Sequence, residues 1–223
     1  MSPRPSRGRP RRQPGPHVTN PREHILASAA ELFVNQSYAG TTTREIGELA
    51  GMRQASIYYH FDSKEQILVV LLRRSVQLRV ERAAKIATEV DGLSPAAGLY
   101  LLAASDVSAL AAMPQNVGIL YRLPDVVASP VFEQFRDLRD ELVLTYGQLG
   151  IRAAPQRVAD TTDVHALGEL LVQIADTMTG LRAAGSVDSS RTRSIASACL
   201  RLCGIPEDVI DQARVDIDID RNP

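Results

Sequence analysis

Apolar residues recur at helical spacing along most of this chain, and this periodicity limits its fold more than any other feature. In the first such segment, Ile25, Ala29, Leu32 and Phe33 fall at i, i+4, i+7 and i+8. Gly and Pro turn signals separate further helical patterns, approximately over 43–50, 53–60, 64–90, 95–111, 115–122, 130–149, 155–183, 188–203 and 206–213. Alternation with a period of two is confined to 215–220, which we expect to be a solvated tail. The sequence therefore predicts an all-α fold with about nine helices.

The size and composition of the chain are ordinary for a globular protein with a large core. It has 223 residues, of which 44% are hydrophobic and 23% are charged. Its continuous apolar runs, such as 67–72, are far shorter than the roughly 20 residues that span a bilayer. The N-terminus also lacks a secretory signal pattern. We therefore expect a cytoplasmic protein that has no membrane partner.

The sequence contains no motif that indicates catalysis or metal binding. We find no G-x-S-x-G, H-E-x-x-H, phosphate-binding loop or dinucleotide fingerprint, and we predict no catalytic residue and no cofactor. Cys199 and Cys203 lie one helical turn apart without a histidine nearby, whereas a zinc site needs about four ligands. We interpret them as buried small apolar side chains, with a thiol switch as the alternative.

Charge is distributed unevenly, although the whole chain carries only −1 at pH 7. Residues 1–20 contain five arginines, five prolines and no acidic residue, so they carry +5 and the remainder carries −6. This composition cannot bury enough apolar surface to fold, and we expect a disordered basic arm that could follow a polyanion. Within it, Arg7-Gly-Arg9-Pro resembles the core of an AT-hook, which binds the minor groove. A merely solubilising terminus is the alternative.

Two short helices, 43–50 and 53–60, are joined by Ala-Gly-Met, a turn in which Gly51 is free to adopt a positive φ. Thr42 and Glu45 have the spacing of a capping box at the start of the first helix. Two short helices joined in this way predict a helix-turn-helix, whose second helix can enter a major groove of DNA. At about 100° per residue, Ile57 and Phe61 share the face that we expect to be buried.

The opposite face of the second short helix combines polar and aromatic side chains that suit a DNA groove. Gln54 can pair with an adenine edge, and Ala55 is small enough to approach a thymine methyl group. Further side chains can donate hydrogen bonds to phosphate oxygens, and these are Ser56, Tyr58 and His60. Lys64 adds a positive charge where the next helix begins. A locally packed three-helix unit with solvent-facing tyrosines remains the alternative.

The segment 41–68, TTTREIGELAGMRQASIYYHFDSKEQIL, resembles the DNA-binding region of the TetR family of bacterial repressors. The family pattern combines a Thr, an apolar-small pair, an Ala-Gly-apolar turn, Tyr-x-His-Phe and Ser/Asn-Lys-Glu. This chain supplies Thr43, Ile46-Gly47, Ala50-Gly51-Met52, Tyr58-Tyr59-His60-Phe61 and Ser63-Lys64-Glu65. The likeness extends upstream through 25–42. Gly47 departs from the pattern, since Ala is usual there.

The resemblance implies a role for each matching residue. Thr43 and Lys64 would bind phosphates, and Tyr58 and His60 would clamp the DNA backbone. Base edges would be met by Gln54, Ala55 and Ser56, with Tyr59 stacking against a methyl group or sugar. Arg44 is placed to reach a guanine or a phosphate, and Arg53 adds a charged donor where the family often has Ser. Arg7 and Arg9 of the arm would enter the flanking minor groove.

The remainder of the chain resembles the family in length and helical content only. By analogy, we predict a DNA-binding domain over 21–66 and a ligand-binding and dimerisation domain over 67–223. The family forms its homodimer through the last two long helices, here 155–183 and 188–203, in which Gly168, Ala175 and Gly180 would permit close helix approach. Candidate residues for the pocket of an unknown small-molecule effector are Tyr100, Met113, Asn116, Leu120, Tyr121, Gln173 and Met178. Each of these has core packing as its alternative.

The sequence thus predicts a ligand-responsive regulator that binds double-stranded DNA, most simply a repressor released from a palindromic operator. Two other functions stay open at this stage. One is an all-α small-molecule carrier or enzyme, for which no motif was found. The other is a protein that binds DNA without sequence preference through its basic arm.

Overall fold

The computed structural model describes residues 20–89 and 92–220, and every regular element in these ranges is a helix. The predicted arm, apart from Asn20, lies outside the described residues, and so do Arg7 and Arg9. The helices are α1 (Pro21–Gln36), α2 (Thr43–Leu49), α3 (Gln54–His60), α4 (Lys64–Glu89), α5 (Pro95–Ala112), a 3₁₀ helix (Pro114–Arg122), α6 (Pro124–Val127), α7 (Pro130–Ala153), α8 (Gln156–Ala159), α9 (Val164–Ala183), α10 (Ser189–Leu202) and α11 (Glu207–Asp220). The predicted all-α class is confirmed. The expected number of about nine is too low, since the described part contains twelve.

Two predicted helices differ from the observed ones because a local cap or strain intervenes. The segment predicted as one helix over 155–183 is divided, since the Asp163 side chain accepts a hydrogen bond from the Ala166 N–H and caps a new helix there. The segment predicted as a helix over 115–122 is a 3₁₀ helix. Near its start, Gln115 and Asn116 have φ angles of 49° and 53°, which non-glycine residues rarely adopt.

The prediction of a solvated, alternating tail over 215–220 is wrong. Helix α11 continues to Asp220 and packs against α5. Ile210, Ala213 and Ile217 are buried, because their spacing of i, i+3 and i+7 places them on one helical face. Because apolar and acidic residues alternate in this segment, the helical period is not apparent from the sequence. The packing of α11 against α5 decides which of its residues are buried.

Buried apolar side chains form two clusters. The first joins α1, α2 and α3 to the first half of α4, and then to the 3₁₀ helix, α6 and Phe135 of α7. The second lies between α5, α7, α9, α10 and α11 and the far end of α4. Helix α4 contributes to both, so it is a continuous element that joins the N-terminal helices to the C-terminal body.

Helix α5 lies in the second cluster and is by length and composition apolar enough to cross a membrane. A buried core helix passes the same test, and 61% of α5 is buried within the protein. Its Asp106 is also buried, in contact with Arg79 of α4. These contacts indicate that α5 is apolar because it is a core helix of the protein.

Helices α7 and α9 approach each other closely, and the approach depends on two glycines. A Cβ atom on Gly168 would lie 2.0 Å from the carbonyl oxygen of Val143, and one on Gly147 would lie 2.1 Å from that of Val164. Gly168 therefore permits a close helix approach, as expected, and it does so within the chain, where it packs against α7. Ala175 is likewise buried inside the protein.

Candidate DNA-binding surface

The capped start of α2 and a tight turn after it set the angle between α2 and α3. Thr42 and Glu45 form the predicted capping box, in which Thr42 accepts from the Glu45 N–H and the Glu45 carboxylate accepts from the Thr42 N–H. Gly51 has a φ of 69°, as the turn requires. A Cβ atom on Gly47 would lie 3.3 Å from the carbonyl oxygen of Met52. Glycine in place of the usual alanine therefore lets the turn lie close against α2.

One face of α3 holds the helix on its neighbours. Ile57 and Phe61 are 1% exposed and pack with Ile46, Phe33 and Ile25. The prediction for this face is confirmed. Leu49, the last residue of α2, is 47% exposed, although it lies at i+3 from the buried Ile46.

The opposite face of α3 is open. Gln54 and Ala55 are exposed, and Tyr58 and Tyr59 are 51% and 86% exposed. Ser56 and His60 are half-buried, and the rings of His60 and Tyr59 contact each other in a nearly perpendicular arrangement. A buried apolar base thus carries a surface of amide, hydroxyl and aromatic groups, which are the groups that read DNA base edges and contact its backbone.

Hydrogen bonds within the N-terminal helices pre-organise this surface. Gln54 Nε2 donates to Thr43 Oγ1 at 3.0 Å, and the Thr43 and Tyr58 hydroxyl oxygens lie 3.2 Å apart. Thr43 at the start of α2 therefore links the first and fifth residues of α3. The Gln54 amide keeps one N–H and its oxygen available, so it can still form a paired contact with an adenine.

The predicted phosphate-binding lysine is held against the loop that follows α1. Lys64 Nζ donates to the carbonyl oxygens of Tyr38 and Thr41 at 2.8 and 2.9 Å and lies 4.3 Å from the centre of the Tyr38 ring. Two of its three N–H groups are thus used within the protein, and one remains for a phosphate.

The two other predicted cationic contacts border the same surface. Arg44 forms an exposed ion pair with Glu48 one turn along α2, with Nε 2.9 Å from the carboxylate. Arg53 is exposed and stands at the N-terminal cap position of α3. DNA contact by Arg44 would require the guanidinium to leave Glu48 or to use its remaining N–H groups.

The residues proposed for a small-molecule pocket are dispersed. Four of them are buried: Leu120 and Tyr121 belong to the first apolar cluster, and Tyr100 and Met178 belong to the second. Asn116 is half-buried, and its Nδ2 donates to the Thr179 carbonyl at 2.9 Å. Met113 lines an open groove beside α1. Gln173 is exposed on α9, so it points away from the interior of its own chain.

Sequence reasoning missed a buried polar network that joins α4 to three helices of the body. Arg79 of α4 contacts Asp106 of α5 and Asp176 of α9, with distances of 2.7 and 2.9 Å. Tyr146 of α7 donates to Asp106 at 2.8 Å, and Arg139 of α7 lies 3.4 Å from Asp176. The available signal was Asp106, which is the one charged residue in the sequence of α5.

The network is consistent in charge, with two guanidinium groups facing two carboxylates. Burial alone would lower the pKa of Arg79, but the carboxylates of Asp106 and Asp176 outweigh burial and raise that pKa well above its ordinary value. Burial, reinforced by Asp106, raises the pKa of Tyr146 well above its ordinary value. Both side chains therefore keep their protons throughout the physiological range.

The geometry of α2 and α3 defines a helix-turn-helix with an exposed second helix. In agreement with this, the family of bacterial regulatory proteins described as the tetR family matches residues 25–71. The transcriptional repressor KstR2 of Rhodococcus jostii is 31% identical over 121 residues, which are 54% of this chain and 58% of KstR2. The matched segment thus spans little more than half the length of KstR2, and the segments matched in other curated relatives span less of their length.

Similarity to solved structures extends over the whole fold. The crystal structure of Mycobacterium smegmatis AmtR is 31% identical and superposes with a TM-score of 0.72, covering 90% of this chain and 95% of AmtR. AibR, solved with isovaleryl coenzyme A and operator DNA, has a TM-score of 0.65 at 17% identity and covers 81% of this chain and 96% of AibR. The latter likeness shows the fold alone. Together with the helix-turn-helix match, the AmtR comparison shows that this chain belongs to the TetR family of bacterial regulatory proteins.

Proposed function

We propose that the protein is a homodimeric transcriptional repressor that binds double-stranded DNA and releases it when a small molecule binds. The observation that carries the proposal is the exposed face of α3, where Gln54, Tyr58 and Tyr59 stand on a buried base and Thr43 lies in hydrogen-bond contact with the first two. A surface restricted in this way loses little conformational entropy when it enters a major groove. The repressor KstR2 and the DNA complex of AibR support the same function.

On DNA, Gln54, Ala55 and Ser56 would meet base edges, with Tyr59 against a methyl group or sugar. Phosphates would be bound by the hydroxyl groups of Thr43 and Tyr58, by His60, and by cations at the border of the surface. Those cations are Arg44, Arg53 and Lys64. Arg7 and Arg9 of the N-terminal arm would follow the adjacent minor groove, which adds affinity that salt screens.

A homodimer would place two such surfaces about one turn of DNA apart, roughly 34–36 Å. We propose that α9 and α10 form its interface. Helix α9 exposes a stripe at i, i+4, i+7 and i+11 that consists of Ala166, Leu170, Gln173 and Thr177. Leu170 is 54% exposed in the single chain, and Leu202 at the end of α10 is 40% exposed. Exposed leucines on adjacent long helices are typical of a subunit interface.

The effector must bind more tightly to one arrangement of the two DNA-binding surfaces than to the other, because otherwise it cannot change DNA affinity. Helix α4 joins both apolar clusters and is the element through which such a preference would be transmitted. The AibR complex, which contains both a coenzyme A ester and operator DNA, is consistent with this kind of control.

The proposal is tested by gel shift on DNA upstream of the protein's own gene, at two stated salt concentrations. Gln54→Ala should weaken specific binding about tenfold, since one paired base contact contributes about 1–3 kcal/mol of discrimination. Gln77→Ala, an exposed glutamine of α4, serves as the matched control and should bind as the native protein does. Absence of binding to this DNA and to every duplex selected from a random pool would refute the proposal.

A further inference from the structure

A groove of about 380 Å³ lies between α1, the middle of α4 and the start of the 3₁₀ helix. Its walls are apolar and include Leu26, Ala27, Leu71, Leu78, Met113 and Val117. Leu78 remains 60% exposed there. The buried residues of its lining, such as Leu26, Leu71 and Val117, belong to the first apolar cluster, and Met113 also packs against the second. Its volume and apolar lining lie within the range of small-molecule sites in proteins.

The groove carries one cation with free donors at its border. Arg74 of α4 directs Nη1 at both carboxylate oxygens of Glu23 on α1, at 2.8 and 2.7 Å. Within the described part of the chain, Nε and Nη2 of Arg74 make no hydrogen bond, and the side chain is 47% exposed. A guanidinium edge with free N–H groups suits a carboxylate. Both oxygens of Glu23 are already engaged by Arg74, so the groups that the border offers an incoming ligand are the remaining N–H donors of Arg74.

The third wall of the groove is a strained segment. Gln115, which lines the groove, and Asn116 are consecutive residues with positive φ angles. Backbone strain of this kind concentrates at ligand clamps and switches. The Oδ1 atom of Asn116 is also buried without a hydrogen-bond partner. The segment is therefore held in a conformation that its own residues do not favour.

The same segment connects the groove to the proposed dimer helix. Asn116 Nδ2 donates to the Thr179 carbonyl of α9 at 2.9 Å. Arg182 of α9 donates to the carbonyl of Met113 at 2.6 Å. One wall of the groove thus belongs to α1 of the DNA-binding helices. Another wall, formed by residues 113–117, is hydrogen-bonded to α9. A molecule in the groove would contact both parts of the protein at once.

We propose that this groove is an effector site for a small amphipathic carboxylate, whose apolar body lies along α1 and α4 and whose carboxylate pairs with Arg74. The regulatory effect of the ligand rests on the proposed DNA-binding function. The binding of the ligand in the groove does not depend on that function. Occupancy changes the contact between α1 and residues 113–117, and by linkage DNA and ligand alter each other's affinity by the same factor.

Titration calorimetry with decanoate and with the neutral 1-decanol, on the full chain, tests the site. We expect saturable decanoate binding, weakened at least about tenfold in Ala27→Phe, which fills the groove. Ala84→Phe places the same ring on the exposed face of α4 and should leave binding unchanged. Arg74→Gln should weaken decanoate binding about tenfold, since it removes a charge-assisted hydrogen bond, without altering the affinity for 1-decanol.

Absence of saturable decanoate binding, or equal binding by Ala27→Phe and the native protein, would overturn the site. Unchanged decanoate affinity in Arg74→Gln would overturn the carboxylate assignment. The regulatory part is tested separately by repeating the titration with saturating operator DNA. An identical decanoate affinity with and without DNA would overturn regulation through the groove. Failure of the protein to bind any DNA, with decanoate binding intact, would refute the proposed function and leave the site standing.

Discussion

Arg79 of α4 and Asp106 of α5 form a bidentate ion pair inside the protein, with N–O distances of 2.7 and 2.9 Å. Their side chains are 1% and 3% exposed. Asp176 of α9 completes the coordination of the guanidinium. Charges buried in this way hold a defined geometry because every alternative leaves one of them unpaired. The pair therefore fixes the position of α4, which joins both apolar clusters, relative to the body.

Replacing Arg79 by Met should strongly destabilise the protein, by about 3–5 kcal/mol, because two buried carboxylates lose the guanidinium that they share. Arg74→Met, the same substitution at an exposed ion pair of the same helix, should cost no more than about 1 kcal/mol. Denaturant unfolding at a fixed protein concentration measures both. Comparable losses for the two variants would contradict a special role for the buried network.

Thr43 is expected to act on DNA partly by positioning Gln54 and Tyr58. Thr43→Val removes the hydroxyl that accepts from Gln54 Nε2, and it should weaken specific binding about fivefold at low salt. Thr43→Ser keeps the hydroxyl and should retain most of the affinity. Quantitative gel shifts on the selected operator measure the difference. Valine and serine variants of equal affinity would show that the hydrogen bond seen without DNA does not position Gln54.

Close packing of α7 on α9 should make Gly168 intolerant of a side chain. Gly168→Ala places a Cβ atom 2.0 Å from the Val143 carbonyl oxygen, so the helices must separate at a cost of at least about 2 kcal/mol. In Gly180→Ala the nearest atom, Arg122 Nη1, is 3.8 Å away. That variant of the same helix should be neutral or more stable by up to about 1 kcal/mol. Thermal and denaturant unfolding distinguish the two.

The burial of Ile217 predicts that the last helix contributes to stability. Ile217→Ala should cost about 2 kcal/mol or more, since the side chain is 3% exposed in the second apolar cluster. Val215→Ala, at a position 50% exposed, should change the free energy of unfolding by less than about 0.5 kcal/mol. If Ile217→Ala is equally silent in denaturant unfolding, α11 does not contribute to the core in solution.

Burial should make both cysteines unreactive, and it should make their contribution to stability depend slightly on pH. Burial raises the pKa of Cys203 to about 11, and burial followed by the nearby Cys203 raises that of Cys199 further. Iodoacetamide at pH 8 should therefore label neither thiol until denaturant is added. Because the folded thiols keep their protons, their contribution to stability is full below the unfolded pKa of about 8.5. It should decline as the pH rises toward 11. Rapid labelling of the native protein at pH 8 would favour the thiol switch.

The helix-turn-helix could be predicted almost completely from the sequence because its determinants are local. The capping box of Thr42 and Glu45, the positive φ of Gly51 and the inward face of Ile57 and Phe61 each depend on residues a few positions apart. The structure confirms all of these. The local period does not explain Leu49, which is exposed although Ile46, one turn earlier, is buried.

In the body, the sequence by itself determined that helices form but not how they are paired. Helical period and caps are encoded within one segment, and they predicted α5, α10 and most of α4. The partners of Arg79, the contact of Gly168 with Val143 and the burial of Ile217 join residues far apart in the chain. Such contacts depend on which helices pack together, and the apolar period of a single helix does not specify its neighbour. Tertiary structure therefore decided the buried network, the groove beside α1 and the inward face of α11.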